Sequence, residues 1–503
     1  MNTKKVKYYL FIFLVFFTSC QDFLDVNDDP NALQSSNEEL LLPYGIASLC
    51  YVIGDRYQVL GALWSQHWTQ SLGASQYKGI DSYDLSSSSF EGEFSELYAG
   101  ALMNFEEIKN MSSQNGKWNY YLIATVLQCY TFQVLADLYE YIPFSKAFKG
   151  NEGNLTPEYE YSRNIYDSLI VRIDKALEKD YDNEELDEIG DADLLFGGDM
   201  DRWVEFANTL KLKIFLRQSD VRPEVARQGI EKLYEDDEDG NFLDYDAVMT
   251  QFSNETNKRN PLYETEIIFF GYNPNLVLSN TLLSFMEKNG DYDRLDAMFD
   301  TPESGGEHKG LNQGNYNDPD EPAGTNSSDY SKPVFYPTYP IFLMSMPEIY
   351  LLQAEAIIRF GTGDYDDARE MYENGVEVAF SRYGIDDAEL YYKSGGPYAF
   401  PSEGSDPEIF IEAIIMQKWV ALVNFQSLET FFDHNRTMYP KEADENWDNF
   451  ETENDTVKFT VSVNNVTSGR YPRRLLFPES EYSTNPNTPE QKNIYDKLWW
   501  HKQ

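Results

Sequence analysis

Apolar residues recur at three- and four-residue spacing through 93–111, 117–140, 162–179, 201–219, 275–288, 347–360, 364–382 and 406–433. That spacing lines them along one face of a helix, so the pattern predicts a mainly α fold that pairs such faces. Between these segments lie long stretches rich in Gly, Asn, Asp, Ser and Pro, notably 71–90, 300–335, 392–406 and 440–470. None has the low complexity of a flexible linker, which predicts one domain over 36–503 with long irregular loops. Clusters of β-branched and aromatic residues at 266–270 and 457–463 predict a few short strands.

The N-terminus predicts an address. Lys4, Lys5 and Lys7 precede an unbroken apolar run from Tyr8 to Phe17, and Thr18-Ser19-Cys20 follows. As a helix that run is about 15 Å long, about half a bilayer core, so it reads as the apolar region of a signal peptide, residues 1–19. Small residues directly before Cys20 resemble a lipobox, at which cleavage leaves a diacylated cysteine. An ordinary secretory signal with an incidental cysteine is the alternative. Residues 20–35, with Asp22, Asp25, Asn27, Asp28 and Asp29, then form an acidic tether.

Composition narrows the partners. Removing 1–19 leaves 503 − 19 = 484 residues and takes the formal charge from −45 to −48, because three lysines go. An excess of acids on this scale argues against nucleic acid and anionic membrane surfaces, which need clustered Lys and Arg. Hydrophobic residues at 42% exclude general disorder. Beside Cys20 the chain holds only Cys50 and Cys129, which fit two buried thiols better than one disulfide.

One helical hairpin is legible in detail. Ala356, Gly363-Asp364-Tyr365, Ala368, Tyr372 and Gly375 fall at the spacing of a tetratricopeptide unit. The alanines let two antiparallel helices approach, and the tyrosines fill the gap beside them. Glu348 and Glu355, seven residues apart, share a face. No 34-residue array follows, so the prediction is tetratricopeptide-like helix pairs inside a larger helical body.

Several further motifs run in order along the chain. Asp137-Leu138-Tyr139 precedes Ile142-Pro143-Phe144-Ser145-Lys146-Ala147. Gly197-Gly198-Asp199 leads to Trp203, Phe206-Ala207-Asn208-Thr209-Leu210-Lys211-Leu212 and Arg217. Then come Asp293-Arg294-Leu295, Glu348 with Ala354-Glu355-Ala356, and Gln417-Lys418-Trp419 with Phe431 and Asn435-Arg436. The last block is Pro472-Arg473-Arg474-Leu475, Pro478, Glu481 and Asn485-Pro486. Together with the N-terminal signal, this series resembles the SusD/RagB family in its SusD-like branch. Two positions depart from the family pattern: Glu140 stands where Gly is usual, and Asp293-Arg294-Leu295 lacks a proline.

The resemblance implies a lipid-anchored outer-membrane protein that captures nutrients and caps a TonB-dependent SusC-like transporter as its lid. Oligosaccharide is the cargo it favours, with oligopeptide as the alternative. The motifs themselves read as structural. Pro143 ends a helix and Asp199 caps one. Trp203, Trp419 and Phe431 read as core. Arg294, Arg436, Arg473 and Arg474 are expected to pair with Glu348, Glu355 or Glu481, because a buried Arg needs a partner.

Catalysis has little support. His67, His308, His434 and His501 show no metal-binding spacing, and no nucleophile elbow, phosphate loop or CxxC pair occurs. With 85 acids, carboxylate pairs arise everywhere, so a surface glycoside hydrolase stays the weaker rival. A sugar site needs aromatic faces beside amides. Three clusters have that composition: Trp64, Gln66, His67, Trp68, Gln70, Gln76, Tyr77 and Tyr83; Asn312, Gln313, Asn315 and Tyr316; and Tyr391, Tyr392, Tyr398 and Phe400. Packing under a long loop is the competing explanation for every ring. No cofactor is implied except a candidate Ca²⁺ loop. Its residues are Glu235, Asp237, Asp239, Gly240, Asn241 and Asp246, at positions 1, 3, 5, 6, 7 and 12 of a calcium-binding pattern.

Overall fold

Asn37, whose side chain accepts a hydrogen bond from the Leu40 N–H, starts helix α1 (Glu38–Gly54). The computed structural model describes residues 37–235, 240–271, 274–317, 326–443 and 457–502. α2 (Arg56–Trp64) follows almost at once, and every residue from Tyr57 to Trp64 is buried. α2 is covered on all sides and α1 exposes Leu40, Tyr44 and Tyr51 on its open face, so neither carries the polar stripe that marks the others.

Strand β1 (Trp68–Gln70) and the one-turn helix α3 (Lys78–Asp81) lead into the helical body. That body continues through α4 (Met103–Asn115), α5 (Trp118–Tyr139), α6 (Ser162–Leu177), α7 (Met200–Arg217) and α8 (Pro223–Glu235). α5 is apolar enough to cross a membrane by composition, but 94% of that window is buried inside the protein. It is the central core helix, packed against α4, α6 and α7. Asp199 accepts from the Arg202 N–H at the start of α7, as the capping motif predicts.

The fold is mainly α, as predicted, with strands of two to four residues in two-stranded ribbons. β1 pairs antiparallel with β2 (Leu276–Leu278), and other ribbons join 141–143 to 159–161, 247–249 to 341–344, and 299–300 to 332–333. Three predicted helices change shape. The 93–111 stretch divides into Glu91–Glu96, a π-helical turn Leu97–Leu102 and α4. The 275–288 stretch opens as β2, and its helix starts only at Asn280 behind the capping hydroxyl of Ser279. The 406–433 stretch breaks where Asn424 takes φ 67°, which an α-helix cannot hold. The strand predicted at 266–270 is a π-helical turn, Glu264–Phe269, and 457–463 contributes a single bridge from Phe459 to Glu442.

The hairpin forms as predicted from α9 (Met346–Phe360) and α10 (Tyr365–Ser381). Gly361, at φ 70°, closes α9, and Asp364 with Asp367 makes a reciprocal cap on α10. Ala354 and Ala368 are buried in the hairpin's own apolar cluster with Leu351 and Tyr372, whereas Ala356, expected between the helices, packs into the main core. A Cβ on Gly375 would stand 2.8 Å from Leu351, so the close approach needs glycine there.

Two more helices, α11 (Pro407–Ala421) and α12 (Ser427–Thr437), complete a buried charge network with α5, α7 and α9. Lys213 lies 2.7 Å from Glu348 and 3.2 Å from Glu429. Arg217 reaches Asp137 at 3.1 Å and Glu429 at 2.7 Å, and Lys418 reaches Asp433 at 2.9 Å. Arg436 pairs with Glu355, as expected, and with Asp433. The other arginines choose differently. Arg294 bonds Asp291, Arg473 bonds Asn435 and Glu442, and Arg474 bonds Glu140. Glu140 therefore keeps its place at φ 69° in exchange for an ion pair that a glycine could not make. Trp203, Trp419 and Phe431 are core residues. Cys50 and Cys129 are buried, free thiols, and burial pushes them up to about 12 and about 11.

Candidate functional site

The ribbon β1–β2 is the root of a loop-built face. Trp68 pairs with Leu278 and Gln70 with Leu276, which sets the 71–84 loop beside 264–275. The Ser71 N–H continues the ladder to Asn275 O at 2.8 Å. The Leu311 N–H then bonds Leu278 O at 2.9 Å, which brings 309–317 against the same ribbon.

Residues 77–83, which contain α3, touch every loop around them. The Tyr77 hydroxyl donates to the buried Glu266 carboxyl, fastening the π-helical turn. Lys78 Nζ lies 3.2 Å from Asn317 Oδ1 and 4.9 Å from the centre of the Tyr316 ring. Asp81 accepts from Thr69 Oγ1 and the Gln70 N–H, both at 2.8 Å, and from Gln313 Nε2 at 2.6 Å. Ser82 O accepts from the Val466 N–H at 3.0 Å, and the Tyr83 hydroxyl accepts from the Ser462 N–H at 3.2 Å. Val463 N–H in turn donates to Gln313 O, and Asn464 donates to Gly314 O at 2.6 Å. Three loops distant in sequence thus meet on one short segment. Burial raises two carboxyls inside this assembly, Asp81 to about 6 and Glu266 to about 7, and the hydrogen bonds they accept only partly offset it.

Two of the predicted clusters are brought together here, but most of their rings do not face outward. Trp64, Trp68, Gln70 and Tyr77 are buried, because α2 and β1 run through the interior rather than through a loop. The Trp64 and Trp68 indoles are spent on Ile80 O at 3.1 Å and Asn424 Oδ1 at 2.8 Å. Gln70 accepts from the Tyr77 N–H at 2.7 Å. Tyr316 is 6% exposed, whereas Asn312 stands in solvent.

The third cluster belongs elsewhere. Tyr392 and Tyr398 are buried, Tyr391 is half-buried, and all three pack with Tyr372 and Phe400 against the α9–α10 hairpin. The Tyr398 hydroxyl bonds Asp291 at 2.8 Å. It is not a second wall of the loop face.

Of the candidate Ca²⁺ ligands, Asp237 and Asp239 lie outside the described residues. Asp246 Oδ1 accepts from the Met346 N–H at 2.7 Å, at the start of α9. Among the described residues no group of three His, Cys, Asp or Glu could hold a metal ion.

Apart from Gln76 and Asn312, the exposed surface of the face comes from residues outside the predicted clusters. Phe269 is 78% exposed, more than any other aromatic ring among the described residues, with Ile268 beside it. Val463 and Val466 are exposed on the neighbouring loop, as are Gln76 and Asn317. The 266–270 run reads as a strand in sequence, so its outward ring gave no signal. A different cleft, of about 770 Å³, lies between α8, the 241–244 loop and the hairpin. Asp244, Asp367 and Glu370 make that cleft acidic, which suits a cationic partner rather than a neutral sugar.

Residues 30–459 match the model of a SusD-like family described as starch-binding and associating with the outer membrane. No curated protein matches the chain. A SusD homologue from Bacteroides uniformis superposes with a TM-score of 0.75 at 22% identity, over 92% of this chain and 99% of its own. A chitin-binding SusD homologue from Flavobacterium johnsoniae does so with 0.72 at 21% identity, over 91% and 98%. A SusD-like protein from Bacteroides thetaiotaomicron gives 0.69 at 22% identity, over 93% and 99%. At such identities the structural likeness is one of fold.

Proposed function

The chain belongs to the SusD-like family of starch-binding, outer-membrane-associated proteins, and from that premise we propose that it captures oligosaccharides at the cell surface and passes them to a TonB-dependent SusC-like transporter, acting as its lid. The observation that carries the reading is the loop face, where the open ring of Phe269 shares a scaffold with Asn312, Asn317, Asn464 and Lys78. Sugar C–H faces stack on such rings while amides orient the hydroxyls. The family's description and the chitin-binding relative from Flavobacterium favour a glycan over an oligopeptide. The family's description as starch-binding favours a binding role over hydrolysis.

Calorimetry with maltoheptaose, chitohexaose and an oligopeptide panel tests the cargo. Phe269→Ala should weaken oligosaccharide binding about fivefold, from loss of roughly 1 kcal/mol of stacking, with the melting temperature nearly unchanged. Binding of peptides but of neither sugar would overturn the reading.

Anchoring by lipid at Cys20 belongs to the same proposal, because a lid must be held beside its transporter. Cys20→Ala should move the protein from the outer-membrane fraction to the soluble one. Retention of that variant on membranes after a high-salt wash would refute the lipid anchor.

A further inference from the structure

Asp81 is fully buried and cannot touch a ligand, yet it joins more of the loop face than any residue that can. Its Oδ2 accepts from the Thr69 hydroxyl and the Gln70 N–H, and its Oδ1 accepts from Gln313. The Thr69 hydroxyl relays the link, since it also accepts from the Gly314 N–H at 2.9 Å. Gly314 is the tight point of the 309–317 loop. It sits at φ 75°, and a Cβ there would stand 1.9 Å from Ser462 Oγ. Two residues further on is Tyr316, whose ring lies under Lys78. An ionised carboxylate accepts on both oxygens and donates nothing, so it holds all three donors at once. An amide offers one acceptor and turns an N–H₂ toward the third.

We propose that Asp81 is a positioning residue for glycan capture: by holding Thr69, Gln70 and Gln313 it sets the 312–317 loop, and with it Lys78, Tyr316 and Asn317, in the form that binds sugar. The inference rests on the reading of the loop face as the glycan site. It separates the residue that orders the face from those that meet the ligand. If the loop is assembled in only a fraction of molecules, the apparent Kd rises by the inverse of that fraction.

The test is a comparison of two quantities in the full chain. Asp81→Asn should weaken maltoheptaose or chitohexaose binding about tenfold, the scale of one lost hydrogen bond to a charged group. Hydrogen exchange at the Gly314 amide should show the loop closed in only about a tenth of the variant molecules, while amides of α5 exchange as before. Saturating oligosaccharide should restore Gly314 protection in the variant, as binding to the closed loop alone requires. Thr69→Val removes the relay hydroxyl with little change of shape, so it gives the same readout if Asp81→Asn folds poorly. Unchanged Gly314 exchange in both variants, or exchange that rises equally in α5, would overturn the role of Asp81. If the wild type binds neither sugar, the glycan reading fails by itself, and Gly314 exchange still decides whether Asp81 orders the face.

Discussion

Arg436→Met should lower the unfolding free energy by about 3–5 kcal/mol, because it strips one partner from a buried ion pair and leaves the other charge uncompensated. Arg436 is 1% exposed and donates through both terminal nitrogens to Glu355, with a further bond to Asp433 at 2.8 Å. Methionine fills much of the same volume, so the effect is electrostatic and not that of a cavity. The pH dependence distinguishes the cause. Burial alone would raise the Glu355 carboxyl, but Arg436 and Arg359 outweigh it and hold the group at about 2, below its ordinary 4.5. A depressed carboxyl contributes stability above its unfolded value and loses it as pH falls through the folded one. The gap between wild type and variant should therefore be widest above pH ~5 and narrow from there toward pH ~2. Urea unfolding across that range measures it. A difference under 1 kcal/mol at neutral pH, or one that does not narrow in acid, would show that Arg436 is not what holds Glu355.

Gly61→Ala should cost about 3 kcal/mol or more, the upper range for forcing one extra carbon into a packed interior. A Cβ at Gly61 would lie 2.2 Å from Leu428 N and 2.4 Å from Ser427 C, so α2 and the start of α12 meet backbone to backbone. Neither helix can slide aside. Gln58 bonds Ser427 in both directions, at 2.8 Å through its amide and at 3.0 Å from the Ser427 N–H. His67 Nδ1 stands 2.9 Å from the Ser427 hydroxyl as well. Gly92 is the control, since it lies in the Glu91–Glu96 helix and a Cβ there would meet no atom within 4 Å. Gly92→Ala should be neutral or stabilise by up to about 1 kcal/mol, through helix propensity alone. Equal melting temperatures for the two variants would mean that α2 and α12 have more room than these distances allow.

Both predictions turn on contacts that local sequence reports unevenly. The Arg436–Glu355 pair is within reach of sequence reasoning, because a chain so rich in acid must pair any arginine set among apolar residues. The α9–α10 hairpin is legible for a similar reason: alanines, glycine and a capping aspartate recur at spacings that only close-packed helices require. α1 and α2 are not legible. α1 exposes apolar and aromatic residues such as Leu40, Tyr44 and Tyr51, and α2 is buried all round, so neither has the polar stripe that periodicity detects. Sequence pattern alone therefore places Trp64 and Trp68 in a loop when they belong to the core.

By itself the sequence determined the helical class, the cap at Asp199, the hairpin spacing around Asp364, the signal-like N-terminus and the motif order shared with the SusD-like family. These follow from spacing within a few turns of chain, where geometry depends on near neighbours. The tertiary structure decided which rings face outward and which side chains assemble the loop face. Gln313 reaches Asp81 across 232 residues and Ser462 reaches Tyr83 across 379, so no local pattern could announce either bond. Asp81 is one of 85 acids in the chain and looks like any other until the fold buries it among three donors. Burial and partnership are properties of the folded chain, and they set Asp81 apart from acids left in solvent.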